Sequence, residues 1–349
     1  MGAHLNAFTS RELTIYYMQV FKKNIKNAVD ILGDMLLNSL YRTSDLEAEK
    51  GTILQELEEV NKDSMEVLLE NVYFAAYREH MMGQPILGAR ENICSVTRDM
   101  VTNFHKTNYF GENMIIVGTG DVDHKELVDL VKHHFANCHR KPPEGLERTG
   151  MNKPIYTPGL MMQRDDEMEN CCTGVFYRAP SWMHEDYYTF LLLERIFGTY
   201  SVENNFNKLN NVDKQYNSFA AFLAKRKDII KQQAIYSPYS DCGLFGNYFM
   251  GNEAHAMDMN FCGLYFPTRF SDYIDEIEVA RGKQKLYCEL ASLESTGELM
   301  QTIGQQILYW NRRVSRCEIA KRIASISRKN IMSTCYNWFY NNVVSLLSL

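Results

Sequence analysis

Six acids on one stretch of chain carry the clearest chemical signal in this sequence: Glu49, Glu56, Glu59, Asp63, Glu66 and Glu70. On one continuous helix, at about 100° per residue, they fall within roughly one 100° sector. Like charges at i,i+4, such as Glu66 and Glu70, cost about 0.2–0.5 kcal/mol each, and lysines do not interleave within the stripe. The residues alone leave two readings open: a solvated face, or acids of which some hold a metal and others receive a cation. Glu49 and Glu56 are two helical turns apart, so one could ligate a metal while the other supports the site from behind.

Histidine chemistry is sparse by comparison. The nine histidines form no H-x-x-E-H and no H-E-x-x-H. His133-His134 with Cys138-His139 is the one cluster, and at a helix end it reads as polar surface. His4 reads as a strand residue rather than a ligand. The nine cysteines are an odd set without C-x-x-C spacing, which favours a reducing compartment over a disulfide framework.

At 349 residues the chain is long enough for two cores. Apolar residues make up 45% and charged residues 23%, a globular balance, and no apolar run is long enough to span a membrane. A net charge of -6 lacks the basic footprint of a nucleic-acid binder and suits basic partners.

The elements that must position the acids follow from the pattern. Segment 3–9, a turn at Thr9-Ser10-Arg11 and the aromatic, β-branched segment 11–21 predict a hairpin. Helical periodicity follows at 24–39. Ser44-Asp45-Leu46-Glu47 has the form of a capping box opening one long helix to about Arg78. A helix at 96–109, a strand at 114–118 and a helix at 123–136 complete a first α+β unit. Prolines and glycines punctuate 139–159, so the domains are expected at 1–140 and 158–349, with a linker over 141–157.

The second half repeats the first. Ser95-Val96-Thr97-Arg98, leading to Tyr109-Phe110 and an apolar segment, matches Ser325-Ile326-Ser327-Arg328, leading to Phe339-Tyr340 and the apolar 343–349 end. Glu47-Ala48-Glu49-Lys50-Gly51 is echoed by Glu278-Val279-Ala280-Arg281-Gly282. Two matches at nearly one offset point to duplication. Positions equivalent to Glu49 and Glu56 are then Ala280 and Tyr287, so acidic chemistry is expected in the first copy alone.

Met1-Gly2-Ala3-His4-Leu5-Asn6-Ala7-Phe8-Thr9-Ser10-Arg11-Glu12 and Ile53-Leu54-Gln55-Glu56-Leu57-Glu58-Glu59-Val60 together resemble one family. It is that of the β subunits of mitochondrial processing peptidases and the core I proteins of the cytochrome bc1 complex. Weaker similarity continues through Ile86–Ile93, Tyr239–Leu244 and Tyr309–Arg313, over nearly the whole chain. The resemblance implies an α+β fold of two homologous domains, each a mainly antiparallel sheet packed with helices, and cut at both ends. It also implies the inverted-zincin chemistry of H-x-x-E-H, in which two histidines hold zinc and the glutamate between them is the general base. That motif precedes the Met-Gly-Ala-His segment in the family, so it would fall upstream of Met1.

Carried over by motif, Glu56 is the third zinc ligand and Glu49 its support. Glu66 and Glu70 match acids that receive the arginine of a basic presequence. Asn6 and Ala7 lie on the edge strand along which family substrates add, although the residues alone fit an ordinary hairpin strand equally well. The implied cofactor is zinc, not held stably by this chain. The implied partners are an α subunit or core protein II, presequence peptides and the bc1 complex, at the mitochondrial matrix or the matrix face of the inner membrane. Three functions compete: a processing subunit, a bc1 core subunit, and a shortened inactive relative. Gly198–Asn205 departs from the family pattern by lacking a glycine-rich stretch.

Overall fold

The computed structural model describes residues 2–144, 152–164, 168–202, 218–226, 228–292, 295–340 and 342–349. Part of the expected linker, 145–151, and Glu203-Asn204-Asn205 lie outside the described residues. Among these residues are eight strands and thirteen helices of the α type, an α+β fold. No described helix is long and apolar enough to cross a membrane.

The chain divides into two compact units. Unit 1 comprises Met1–Glu59, Pro85–Met151 and Leu293–Arg313. It opens with the expected hairpin, β1 (His4–Thr9) paired antiparallel with β2 (Thr14–Gln19). The Ser10 amide donates to the Leu13 carbonyl at 2.7 Å and closes the turn. Then come α1 (Ile25–Leu37) and α2 (Thr43–Val60). After them lie α4 (Arg90–Ser95), α5 (Arg98–Asn108) and α6 (His124–His134). α1 packs on α6 where Gly33 leaves room for His134, whose Nδ1 lies 2.9 Å from Asp30.

Unit 2 comprises Val60–Gln84, Asn152–Ser292 and Val314–Leu349. Its sheet has the order β3-β8-β4-β7-β6-β5, antiparallel except for the β3–β8 pair. The strands are β3 (Leu160–Met162), β4 (Cys171–Arg178), β5 (Thr199–Ser201), β6 (Ile229–Pro238), β7 (Gly243–Gly251) and β8 (Val344–Ser348). One face is covered by α3 (Ser64–Tyr77), whose Leu68, Val72 and Tyr73 meet Cys172, Phe176, Leu244, Tyr248 and Leu347. The other face carries α7 (Tyr187–Phe197), α8 (Ser218–Leu223), α9 (Ala256–Arg269) and α13 (Arg328–Trp338), with α10 (Glu276–Ser292) against α7. There Phe190, Phe197, Phe245 and Phe339 meet at ring separations of 5.0–5.7 Å through their contacts with one another and Phe270.

The repeat holds at the level of elements. α5 and α13 are 230 residues apart at both ends, and α1 and α9 begin 231 apart. α2 corresponds to α10, α4 to α12 (Arg316–Ser325) and α3 to α11 (Thr296–Trp310). The α3–α11 pair is exchanged: α3, from the first half of the sequence, completes unit 2, and α11, from the second half, belongs to unit 1.

Three sequence expectations are corrected. The helix expected from Ser44 to Arg78 is two helices, α2 and α3, parted at Asn61–Asp63. Ser44 lies inside α2 rather than capping it, because α2 begins at Thr43 and the Asp45 amide bonds the Arg42 carbonyl. Segment 114–118 is extended but pairs with no strand among the described residues, and Ile115 and Ile116 are exposed. A strand needs a neighbour to bond, and apolar β-branched composition alone does not supply one.

Candidate functional site

α2 carries Glu49 and Glu56 on an exposed surface, and none of its residues is buried. Ile53, Leu57 and Val60 are half-buried and give it a shallow apolar seat. Polar ties complete the attachment: Lys50 Nζ donates to Glu47 Oε1 at 2.8 Å and to the Cys94 carbonyl on α4 at 3.1 Å. Seven residues of helix set Glu49 and Glu56 about 10.5 Å apart along the axis, so one ion takes one of them as a direct ligand. Among the described residues, neither carboxylate has an ion-pair partner.

Glu66 and Glu70 stand on α3 in unit 2, Glu66 exposed and Glu70 half-buried. The single six-acid stripe is therefore redistributed over two helices. Asp63 leaves it altogether, because its carboxylate caps α3 by accepting from the amides of Met65 at 2.8 Å and Glu66 at 3.3 Å. The signal for this was present as Asp63-Ser64-Met65-Glu66, an N-cap acid with glutamate three residues on. An N-cap of this kind contributes about 0.5–2 kcal/mol, enough to start a new helix where periodicity alone would continue the old one.

β1 is exposed along its whole length, and β2 is its one strand neighbour among the described residues. Asn6 and Ala7 lie at its middle, and Asn6 Oδ1 accepts the Ala7 amide at 2.8 Å.

A zinc centre needs three or four convergent donors. These 349 residues contain no H-x-x-E-H, and the described residues hold no group of three or more His, Cys, Asp or Glu side chains able to share an ion. Glu56 is a single exposed carboxylate. The donors among the described residues do not by themselves fit a zinc site.

Sequence reasoning missed a concave region in unit 2. A cleft of about 710 Å³ lies between α7 and α10, beside Gln233 and Ala234 of β6. There Arg195 pairs with Glu194, and its Nε donates to both oxygens of Glu289 at 2.8 Å. The partners are 94 residues apart on different helices, so no local motif marks them.

Comparison with known proteins places these features. Residues 1–90 match the family described as Insulinase (Peptidase family M16), and residues 95–284 match the Peptidase M16 inactive domain. The mitochondrial-processing peptidase subunit beta of Neurospora crassa is 33% identical over 335 residues, covering 95% of this chain and 69% of that protein. The protein of the same name from Dictyostelium discoideum is 34% identical, covering 94% and 69%. The human one is 31% identical, covering 98% and 68%. A chain in the structure described as "Complex III2 from Candida albicans, Inz-5 bound" has the same fold. Its TM-score is 0.88 at 19% identity, over 99% of this chain and 82% of that one.

Proposed function

Because this chain belongs to peptidase family M16, we propose that it is a β-type processing subunit that supplies the glutamate and substrate-receiving half of a presequence-cleaving centre. The observation that carries this is the 33% identity to a processing-peptidase β subunit, in a chain that keeps Glu49, Glu56, Glu66 and Glu70. In this reading Glu56 is the third zinc ligand and Glu49 supports it. Zinc, held by the full donor set, would acidify a water for attack on a peptide carbonyl. Glu66 and Glu70 receive a presequence arginine through charge-assisted hydrogen bonds. Asn6 and Ala7 offer backbone groups to the extended substrate. The partner is an α-type subunit and the setting the mitochondrial matrix. The two homologous repeats run in sequence over 1–140 and 158–349, joined by 141–157, and exchange α3 and α11 between the compact units.

A second reading, a core subunit of the bc1 complex, is favoured by the fold likeness to a Complex III chain. Retention of both Glu66 and Glu70 supports the processing reading over it, since a purely structural subunit does not need acids that receive a presequence arginine.

The test is calorimetric and enzymatic. The 349-residue chain is expected to take up far less than one zinc per chain and to leave an arginine-bearing presequence peptide uncut. Stoichiometric zinc with cleavage would overturn the assignment of donors. The Glu66→Gln/Glu70→Gln double variant is expected to weaken binding of that peptide about tenfold, the worth of one charge-assisted contact. Unchanged affinity would remove these two acids from the substrate site.

A further inference from the structure

α9 is apolar on two opposite sides. Its inner side is buried: Met259, Cys262, Gly263 and Phe266 lie against the sheet, and a Cβ on Gly263 would meet Val175 of β4 at 2.6 Å. Its outer side carries Met257, Phe261 and Tyr265, which are 86%, 50% and 41% exposed. A helix apolar all round is normally covered all round. The Phe261 and Tyr265 rings also stack on one another, 5.4 Å apart and 13° from parallel, so they offer one flat surface rather than scattered side chains.

This outer side ends in opposite charges. Glu253, Met257, Phe261, Tyr265 and Arg269 follow one another at intervals of four, forming one ridge that begins in the short 3-10 turn Glu253–His255 and runs the length of α9. Glu253 and Arg269 stand eight residues to either side of Phe261. Among the described residues neither has an ion-pair partner. His255, the base next to Glu253, pairs with Asp228 and Asp258 instead, and the Arg269 guanidinium lies 5.5 Å from the Phe266 ring on its own helix.

We propose that this ridge is a self-association surface, on which a second copy of the chain lays its own α9 antiparallel about a two-fold axis at Phe261. Such a contact is isologous, each side using the same patch. It sets Phe261 against the second copy's Phe261, Met257 against the second copy's Tyr265, and Glu253 against the second copy's Arg269, with the reciprocal pairs beyond the axis. Ring against ring and sulfur against ring are both favourable, and each end charge gains an opposite one. In this register Asp258 faces the second copy's Leu264, so no like charges meet. A helix of an unrelated protein could cover the three apolar residues. Opposite charges equidistant from a central aromatic residue are what an antiparallel copy of the same ridge requires. The 14 residues of α9 run about 21 Å, a contact at the low end of specific interfaces, so the dimer is expected to be weak, with a Kd of about 10–100 μM.

The test is sedimentation velocity on the full chain over a series of concentrations, with circular dichroism to show that each variant is folded. The unsubstituted chain should pass from monomer to dimer. Phe261→Lys, which sets two cations face to face at the axis, should raise the dimer Kd about tenfold or more. Glu253→Lys and Arg269→Glu should each raise it about fivefold, since each change spoils two symmetric pairs, and the double variant Glu253→Lys/Arg269→Glu should return it to the unsubstituted value. A chain that stays monomeric at about 200 μM, a dimer indifferent to Phe261→Lys, or a double exchange that fails to restore the affinity lost in the single variants overturns the proposal. Phe261 and Glu253 are exposed, so Phe261→Lys and Glu253→Lys decide the outcome even if Arg269→Glu does not fold.

Discussion

Gly51 on α2 and Gly282 on α10 stand at equivalent places in the two halves, and their surroundings differ completely. A Cβ on Gly51 would meet nothing within 4 Å, whereas one on Gly282 would meet Ile196 Cγ1 at 2.7 Å and Leu192 Cδ1 at 3.1 Å on α7. The segments after α5 and α13 differ in the same sense. Residues 114–118 lie extended and unladdered with Ile115 and Ile116 exposed, and residues 344–348 form β8 between β3 and β4. The duplicated pattern thus builds a buried, six-stranded unit in one copy and an open, acid-bearing surface in the other. Pattern specifies the element, but its neighbours decide whether it is a packed wall or an exposed ledge.

The contrast is broken most forcefully at its packed end. Phe245 is fully buried among Phe190, Phe197 and Phe339, and Phe245→Ala is expected to cost about 3–5 kcal/mol. Leu57→Ala on half-buried α2 should cost well under half of that, as read from urea midpoints of the two variants. Equal losses would mean that α2 is seated as deeply as the sheet of unit 2.

Next in size is the glycine pair. Gly282→Ala must push Ile196 aside and is expected to cost about 1–3 kcal/mol. Gly51→Ala meets no obstacle and should stabilise by about 0.5–1 kcal/mol through helix propensity. Opposite signs in two thermal melts sharpen the comparison, and a shared sign removes it. Asp63→Ala, which strips the α3 cap, should cost about 0.5–2 kcal/mol and leave the start of α2 unaffected in amide exchange.

The smallest effect is one of pH. Burial holds the Glu194 carboxyl above its ordinary value, with Arg195 opposing the shift. A carboxyl raised in the folded state adds stability that is fully present below its unfolded value and is lost as pH rises through its folded one. Glu194→Gln should therefore gain on the unsubstituted chain as pH climbs from the mildly acidic range towards neutrality. A stability difference between Glu194→Gln and the unsubstituted chain that stays constant with pH would mean that burial does not raise the Glu194 carboxyl.

Much of this was legible in the sequence. The hairpin, α1, α5, α6 and the repeat follow from alternation, periodicity and caps such as Thr97 and Ser327, all local signals. The break before α3 was legible too, in Asp63 and Glu66, but an unbroken acidic periodicity outweighed it. The fate of 114–118 was not legible, because a ladder depends on what stands alongside. Nor was the exchange of α3 and α11, since Leu68 meets Gly174 through tertiary contact that no spacing encodes. For the candidate site, residue identity and exposure on α2 and β1 were readable, whereas the Glu194–Arg195–Glu289 clamp joins helices far apart in sequence.

The exchanged helix also sets a timetable. Leu68 of α3 and Leu347 of β8 share one apolar cluster, yet they are 279 residues apart in the chain. At roughly 5–20 residues per second on a ribosome, α3 emerges about 14–56 seconds before the strand that completes its seat. Through that interval Leu68, Val72 and Tyr77 have no finished sheet to cover, so nascent chains should depend on a chaperone that shields an apolar helix.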